Sequence, residues 1–243
     1  MTKQAFDLTG RVALVTGGNG GIGLGMAEAL AAAGASVAIW GTNADKNAAA
    51  VEKLRAHGTE AESFGCNVAD KGAVDAAMAA TLERFGRVDG CFANAGVSGR
   101  GERSFLDITP EEWRRVLSVN LDGVFYTYQA VLRHMVDRAD KGDAFGRLAA
   151  VSSLASVSGA ARSEHYAASK GALNAMTFAL AVEYARYGVT VNAILPGWIE
   201  TEMTESAFAN EKFQRAAGGR IPMRRWGAGH CTPAPAAQMR PMA

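Results

Sequence analysis

The chain reads VALVTGGNGGIG from Val12 to Gly23, where a short β-branched run changes abruptly into a glycine-rich turn. The apolar run predicts a buried strand, and the stretch that begins at Gly21 predicts a helix. Glycines at such a turn let backbone N–H groups approach a phosphate closely at the N-terminus of the helix. The order of strand, glycine turn and helix therefore predicts a parallel α/β sheet with a nucleotide site at its first crossover. The candidate nucleotide contacts in this turn are Gly17, Asn19, Gly21, Ile22 and Gly23.

The same alternation of apolar strands and Ala-rich helices continues along the chain. We predict strands over residues 11–16, 36–40, 60–66, 88–93, 147–152 and 189–195, and helices over 21–33, 44–57, 71–85, 110–138 and 164–187. This pattern predicts a Rossmann-type, doubly wound parallel sheet in three layers, α/β/α, with ligands beyond the carboxyl ends of the strands. Residues 1–226 are expected to form one domain with a substrate lid near 200–219. Residues 227–243, which hold three prolines, are expected to form an irregular tail.

Composition narrows the possible function classes. The 243 residues carry 25 Lys and Arg against 24 Asp and Glu, a net charge of +1, so we expect no nucleic-acid partner. No apolar run approaches the ~20 residues of a membrane span, so we expect no membrane partner. Cys66, Cys91 and Cys231 form no C-x-x-C pair, and no His, Asp or Glu set has metal-ligand spacing. The sequence thus favours a cytoplasmic protein without a metal.

Tyr166 and Lys170 lie four residues apart in a predicted helix, thirteen and seventeen residues after Ser153. Positions i and i+4 share one helical face, so the phenol and the ammonium can occupy one site. A nearby ammonium favours phenolate and lowers the phenol pKa from its usual value of about 10. The pair then suits proton transfer to or from an oxygen. Because this spacing is also common on ordinary helices, the prediction depends on the other motifs.

Those motifs occur together and in order between Leu8 and Gly227. They are the spacing G-x-x-x-G-x-G of Gly17, Gly21 and Gly23, then Asn94-Ala95-Gly96, Asn120, Ser153, Tyr166 with Lys170, and Pro196-Gly197. In this combination the chain resembles the short-chain dehydrogenase/reductase family. The resemblance implies an NAD(P)-dependent oxidoreductase that moves hydride between nicotinamide and a carbonyl or secondary alcohol.

The resemblance also implies a role for each residue. Tyr166 is the expected general acid/base and also a cofactor contact, and Lys170 is expected to lower the pKa of Tyr166 and to bind the nicotinamide ribose. Ser153 is expected to hydrogen-bond the reacting oxygen, and Asn120 to hold a water that links Lys170 to solvent. The other expected cofactor contacts are Gly41, Thr42, Asn43, Asn67, Val68, Asn94, Ala95, Gly96, Pro196, Gly197, Ile199 and Thr201.

The residues after the second strand bear on the choice between NAD and NADP. Gly41-Thr42-Asn43 contains no carboxylate that would repel a 2′-phosphate, and no arginine that would clamp one. Thr42 and Asn43 could donate hydrogen bonds, and Lys46 is a candidate cation. The sequence therefore favours NADP slightly.

The substrate stays open between a 3-oxoacyl thioester and a small alcohol or polyol. An acyl-carrier substrate would favour a basic entrance, for which Arg100, Arg103, Arg224 and Arg225 are candidates. A catalytically weak dinucleotide-binding sensor is the alternative function. Trp113, Tyr126 and Phe178 fall at helical spacing and are expected to pack in the core.

Family members usually continue with a further helix and a last strand, and neither is recognisable after Gly227. We therefore expect the strand at 189–195 to be a sheet edge. The resemblance implies a homodimer or homotetramer, which this ending leaves open.

Overall fold

The computed structural model describes residues 6–99 and 104–228, and its centre is an all-parallel sheet of order β3-β2-β1-β4-β5-β6. The strands are β1 Val12–Thr16, β2 Ser36–Gly41, β3 Ala61–Gly65, β4 Gly90–Ala93, β5 Gly146–Val151 and β6 Val189–Ile194. The order reverses between β1 and β4, so their carboxyl ends form the crevice in which such sheets bind ligands. The Rossmann-type fold expected from the alternation is confirmed.

The helices cover the two faces of the sheet unequally. They are α1 Gly21–Ala32, α2 Ala44–Arg55, α3 Lys71–Phe85, α4 Pro110–Leu117, α5 Gly123–Asp140, α6 Ala155–Ser158, α7 Glu164–Tyr184, α8 Glu205–Phe208 and α9 Glu211–Arg220. The larger core lies under α3, α5 and α7 and includes Leu14, Trp40, Tyr128 and Leu173. The smaller core lies under α1 and α2 and includes Val15, Ile39 and Leu54.

The predicted helix over 110–138 is wrong in one respect, because a π-helical turn at Ser118–Asp122 separates α4 from α5. This turn holds Asn120, whose side chain is fully buried. Such turns arise where tertiary contacts override the regular backbone pattern, and they are frequent at functional sites. Phe178 also departs from expectation, since it is 73% exposed and does not pack in the core.

A network of charged residues joins the amino ends of the central strands. Asp89, 2% exposed, accepts hydrogen bonds from Val12 N at 3.0 Å, Arg11 at 3.1 Å and Arg87 at 2.6 Å. Arg138 of α5 adds a fourth contact at 3.1 Å. Burial raises the pKa of Asp89, but these hydrogen bonds and positive charges outweigh it and hold the pKa below its usual value. Asp89 therefore fastens α5 to the start of the sheet.

The end of the described chain differs partly from expectation. Within residues 6–99 and 104–228, β6 is an edge strand of the main sheet, as expected. Gly227–Ala228 (β8) pairs with Ile199–Glu200 (β7) in a separate two-stranded ladder, so the first two residues of the predicted tail are regular. The remainder of that tail, with Cys231, lies outside the described residues.

Candidate active site

The glycine turn between β1 and α1 has the shape that a phosphate needs. Gly17 and Gly21 adopt φ of +63° and +50°, the left-handed region that favours glycine. A Cβ on Gly23 would meet the carbonyl of Gly17 and the amide of Asn94, so α1 packs directly on the turn. The predicted contacts Gly17, Asn19, Gly21, Ile22 and Gly23 therefore lie together.

The N-terminus of α1 has no side-chain cap, unlike those of α2, α3 and α4. Asn43, Asp70 and Thr109 accept hydrogen bonds from the first-turn N–H groups of those three helices. In α1 the N-cap is Gly20, which has no side chain, and the first turn carries no acidic residue. Its N–H groups and positive helix dipole are available for an anion. The turn thus fits a dinucleotide pyrophosphate.

Asn94 fastens the carboxyl end of β4 to that of β1. Its N–H donates to Thr16 Oγ1 at 3.0 Å, and its side-chain amide donates to the carbonyls of Thr16 at 3.1 Å and Gly17 at 3.2 Å. Thr16 Oγ1 also accepts from Ala95 N at 3.0 Å. Asn94 therefore ties the two central strands together, and Thr16 is a partner that the sequence analysis missed.

The structure brings Ser153, Tyr166 and Lys170 together at the end of β5. Lys170 is buried on α7, and its Nζ donates to Val151 O at 2.7 Å and lies 5.7 Å from the centroid of the Tyr166 ring. Ser153 lies near enough to the Tyr166 phenol to lower its pKa, and its Oγ accepts from Ala155 N at 3.1 Å. The neighbouring Ser152 instead donates to Lys170 O at 2.9 Å, so Ser153 is the serine that contacts the phenol.

The pKa directions differ from the expectation for the Tyr166–Lys170 pair. Burial raises the pKa of Tyr166, and the Ser153 hydrogen bond lowers it less. Burial lowers the pKa of Lys170 to about 8. The ammonium hydrogen-bonds a backbone carbonyl, while burial takes water away from the phenolate form. In this geometry Tyr166 is a neutral phenol at neutral pH, which can donate a proton.

Asn120 holds the loop after β4 against α7, the helix that carries Tyr166. Its Oδ1 accepts from Val97 N at 2.8 Å, and its Nδ2 donates to Val97 O at 2.9 Å and to Ser169 Oγ at 3.2 Å. Ser169 in turn donates to Tyr166 O at 2.7 Å. A Cβ on Gly96 would lie 3.5 Å from Lys170 Nζ, so the Asn94-Ala95-Gly96 segment reaches the lysine. The expected bound water at Asn120 stays a prediction.

A second group of predicted residues lies at the carboxyl ends of β2 and β3. Gly41 is buried and a Cβ there would collide with Asn19 and Asn47, while Thr42 and Asn43 are exposed. Asn47, which the sequence analysis missed, accepts from Asn19 Nδ2 at 2.7 Å and donates to Gly41 O at 3.0 Å. It joins the glycine turn to α2.

The two predicted residues after β3 lie in different environments, Asn67 in solvent and Val68 in the core. Asn67 is exposed, and its Oδ1 accepts from Ala69 N at 3.1 Å. Val68 is buried against Gly123 at the start of α5, where a Cβ would lie 2.7 Å from Val68 Cγ2. The side chain of Val68 therefore belongs to the core, and only its backbone is placed to line a nucleotide site.

The predicted lid follows β6 and lies against the glycine turn. Pro196 O accepts from Leu154 N at 3.0 Å, which places Pro196-Gly197 beside the Ser153 segment. Thr201 caps the short turn Glu202–Thr204, and a Cβ on Gly21 would lie 3.2 Å from its Cγ2. Trp198 contacts Phe213 and Trp226, with centroids 4.9 and 5.2 Å away. These rings fix the lid helices to the Pro196–Ile199 segment.

His165, next to Tyr166, is fully buried and faces α4. Its Nε2 lies 3.6 Å from Glu112 Oε1, and Arg115 holds that carboxylate with hydrogen bonds of 2.6 and 2.7 Å. Arg115 also donates to Ser98 O at 2.7 Å. Through Glu112 and Arg115, His165 therefore links the start of α7 to the loop after β4. It is not placed to contact a substrate.

Residues 6–99 and 104–228 contain neither a candidate metal site nor a candidate membrane span. No group of three or more His, Cys, Asp or Glu side chains there could hold a metal ion. None of the helices in the same two ranges is long and apolar enough to cross a membrane.

Comparison with known proteins identifies relatives over almost the whole chain. Residues 11–212 match the family described as short chain dehydrogenase. The 5-keto-D-gluconate 5-reductase of Escherichia coli K12 is 37% identical over 225 residues, which are 93% of this chain and 86% of that protein. Gluconate 5-dehydrogenase of Gluconobacter oxydans is 35% identical, over 91% and 84%. The 3-oxoacyl-(acyl-carrier-protein) reductase of Chlamydia pneumoniae is 33% identical, over 82% and 77%.

Solved structures agree in fold. A gluconate 5-dehydrogenase from Burkholderia cenocepacia J2315, in complex with NADP and tartrate, has a TM-score of 0.85 and 35% identity and covers 92% of this chain and 85% of its own. NAD⁺-bound xylitol dehydrogenase has a TM-score of 0.83 and 31% identity, with coverage of 93% and 89%. Together with the family match, these likenesses confirm the resemblance: the chain belongs to the short-chain dehydrogenase/reductase family and is an NAD(P)-dependent oxidoreductase that acts on CH–OH groups.

Proposed function

We propose that the protein interconverts a keto group and a secondary alcohol on a small polyhydroxylated acid of the gluconate type. The observation that supports this substrate class is the similarity, over more than 90% of this chain, to enzymes named for 5-keto-D-gluconate and gluconate. A further relative, 2-dehydro-3-deoxy-D-gluconate 5-dehydrogenase of Dickeya dadantii, is 32% identical over 227 residues. These relatives favour a polyhydroxylated acid over the 3-oxoacyl thioester and the small alcohol or polyol, which the sequence left open.

We assign the proton transfer to Tyr166 and the positioning of the reacting oxygen to Ser153. The bound nicotinamide supplies or accepts the hydride. Burial keeps the pKa of Tyr166 high, so the phenol is protonated at neutral pH and suits donation to a carbonyl oxygen. Ser153 lies beside the phenol and can hydrogen-bond the same substrate oxygen, where charge develops. In the reductive direction this phenol is the proton donor, and in the oxidative direction its phenolate is the proton acceptor.

Lys170 and Asn120 position this group in our proposal. The Lys170 ammonium is buried between Val151 O and the Gly96 segment, so it is placed to contact a nicotinamide ribose there. Asn120 fixes the loop after β4 through Val97 and reaches α7 through Ser169. Both residues therefore hold the cofactor and Tyr166 in position relative to each other. Neither needs to form or break a covalent bond.

NADP stays our preferred cofactor. The exposed Thr42 and Asn43 leave room beyond β2, and Lys46 in the first turn of α2 supplies a cation. Family relatives are known with either form: the Burkholderia structure holds NADP and the xylitol dehydrogenase structure holds NAD⁺. The preference rests on the missing carboxylate at residues 41–43.

A 3-oxoacyl thioester is the second candidate substrate, supported by the Chlamydia relative. The structure gives only partial support to the basic entrance that such a substrate would favour. Arg224 folds back onto the end of α9, donating to Gly218 O and Gly219 O at 3.3 and 3.1 Å, while Arg225 is exposed. Arg100 and Arg103 lie outside the described residues.

One assay separates these candidates. Oxidation of NADPH and NADH is followed with 5-keto-D-gluconate, xylulose and an acetoacetyl thioester, using Tyr166→Phe as the blank. We expect the highest kcat/KM for the keto-gluconate with NADPH. Thioester reduction at a higher kcat/KM would favour the second candidate. Binding of NADPH without turnover of any substrate would favour the dinucleotide-binding sensor.

We also propose a cytoplasmic homo-oligomer formed through α5 and α7. Phe125, Phe178 and Val182 on these two helices are 46%, 73% and 83% exposed. Exposed apolar side chains that cluster on a surface are typical of subunit interfaces. Phe178→Glu is expected to reduce the mass measured by light scattering, and an unchanged mass would contradict the interface.

A further inference from the structure

An ion pair joins the two sides of the proposed nucleotide cleft. Lys46 lies in the first turn of α2, and its Nζ donates to both carboxylate oxygens of Glu202, at 2.8 and 2.6 Å. Glu202 directly follows Thr201 in the lid, 156 residues further along the chain. The pair therefore connects the helix after β2 with the segment after β6.

Lys46 also lies just after β2, at the end of the cleft where we place the adenosine ribose of the dinucleotide. In doubly wound sheets the residues after the second strand contact the ribose 2′ position, through an acid for a hydroxyl or a cation for a phosphate. Asn43 Oδ1 accepts from Lys46 N at 2.9 Å and fixes the start of α2 there. Within residues 41–46 the charged side chains are Asp45 and Lys46, so Lys46 is the cation of this turn.

We propose that Glu202 is a specificity-determining residue that competes with the 2′-phosphate of NADP for Lys46. The inference rests on the proposed function for the placement of the dinucleotide in this cleft. A phosphate and a carboxylate accept hydrogen bonds from the same compact ammonium, which cannot hold both at full strength. A 2′-hydroxyl offers no such competitor, so Glu202 reduces the preference for NADP over NAD.

The size of the effect follows from the exposure of the pair. The side chains of Lys46 and Glu202 are 47% and 79% exposed, and exposed pairs contribute little free energy. Loss of Glu202 should therefore raise the affinity for a 2′-phosphate about two- to fivefold, which corresponds to about 0.4–1 kcal/mol. Salt should diminish the gain, because it screens charges that face solvent.

The competition also couples the cofactor to the lid. Because binding linkage is reciprocal, a 2′-phosphate that takes Lys46 weakens the contact of Glu202 with α2. A ribose with a free 2′-hydroxyl leaves that contact in place. Backbone amides of residues 199–204 should then exchange hydrogen faster with 2′,5′-ADP bound than with 5′-AMP bound.

The test uses these two ribonucleotides and needs no turnover. Their affinities are measured by calorimetry for the wild type, Glu202→Gln, Lys46→Met and the double variant. Asp137→Asn is the matched control, since it breaks an exposed Lys141–Asp137 pair of 2.7 Å on α5. We expect Glu202→Gln to bind 2′,5′-ADP about two- to fivefold more tightly and 5′-AMP unchanged, with no gain in the Lys46→Met background.

Four results would overturn the proposal. They are an equal gain for both nucleotides, no gain for either, a gain that persists without Lys46, and a wild type that binds neither nucleotide. Persistence without Lys46 would mean that Glu202 repels the phosphate directly. If the expected shifts occur but no carbonyl substrate turns over, the proposed function fails and the competition for Lys46 stands.

Discussion

The proposed proton transfer depends on one group, the hydroxyl of Tyr166. Tyr166→Phe keeps the ring on α7 and removes the proton, so kcat should fall about 10²–10⁴-fold. NADPH affinity should change little, because the ring of residue 166 and the other expected cofactor contacts remain. Tyr128→Phe is the control, since the buried Tyr128 hydroxyl has no hydrogen bond among the described residues. Wild-type turnover in Tyr166→Phe would exclude the role of the phenol.

Lys170 gives a prediction in which stability and activity change in opposite directions. Its pKa falls from the model-peptide value to about 8 because the ammonium is buried. Between pH ~8 and ~10.5 the unfolded chain binds more protons than the native one, so this group makes the native state more stable as pH rises. Below that window the buried charge costs up to about 3 kcal/mol.

Lys170→Met should therefore lose activity and cofactor affinity but unfold at the same or a higher denaturant concentration at pH 7. The difference in unfolding free energy between the two proteins should shrink from pH 8 to pH 10.5. Denaturation curves across this range measure it. A variant that is less stable at every pH would show that the hydrogen bond to Val151 O outweighs the burial of charge.

Spacing along the chain can predict which residues lie together. Ser153, Tyr166 and Lys170 could be grouped in this way, and the structure brings them together, while their roles stay predictions. Asn47 and Thr16 could not, because a polar residue that joins two elements leaves no periodic signal. The direction of the Tyr166 pKa shift was also wrong, since burial and the carbonyl partner of Lys170 appear only in the folded chain.

At the scale of elements, the contact of α1 with the glycine turn is the feature that a small change tests best. Gly23→Ala places a methyl group against Gly17 O and Asn94, and overpacking of this kind costs about 1–3 kcal/mol. The helix must move away from the turn, so NADPH affinity should fall as well. Gly218→Ala in α9 is the control, because it lies outside the glycine turn and a Cβ there meets nothing within 4 Å. Equal affinities in the two variants would contradict the close approach.

The boundaries of most strands and helices followed from the sequence, and the π-turn did not. A period of 3.6 residues predicts one continuous helix over this stretch. The side chain of Asn120 instead hydrogen-bonds the backbone of Val97, and the helix widens into the π-turn at that point. The pairing of β7 with β8 was missed for a similar reason, since two-residue strands have no pattern of their own.

For the molecule as a whole, Asp89 offers a test of stability that should leave the site untouched. Asp89→Asn removes the carboxylate that compensates the buried Arg138, and breaking such a pair costs about 3–5 kcal/mol. The pKa of Asp89 lies below its unfolded value, so its contribution is present above pH ~4 and lost on acidification.

The variant should therefore unfold at lower denaturant at pH 7, and its deficit relative to the wild type should disappear at low pH. Its kcat/KM in native conditions should match that of the wild type. Asp143→Asn is the control, because Asp143 contacts the same Arg138 but is about half exposed. A loss of kcat/KM as large as the loss of stability would show that the two ends of the sheet are coupled.

The position of Asp89 has a consequence for how this chain can diversify. The charged network lies at the amino ends of β1 and β4, whereas every predicted catalytic and nucleotide-binding residue lies at the opposite, carboxyl ends. Mutational libraries confined to the carboxyl-end loops should sample new substrates while the anchoring ion pairs stay intact. Such a chain can accumulate substitutions that change specificity at the carboxyl ends of the strands. The ion pairs at the amino ends supply the stability that lets the fold tolerate those substitutions.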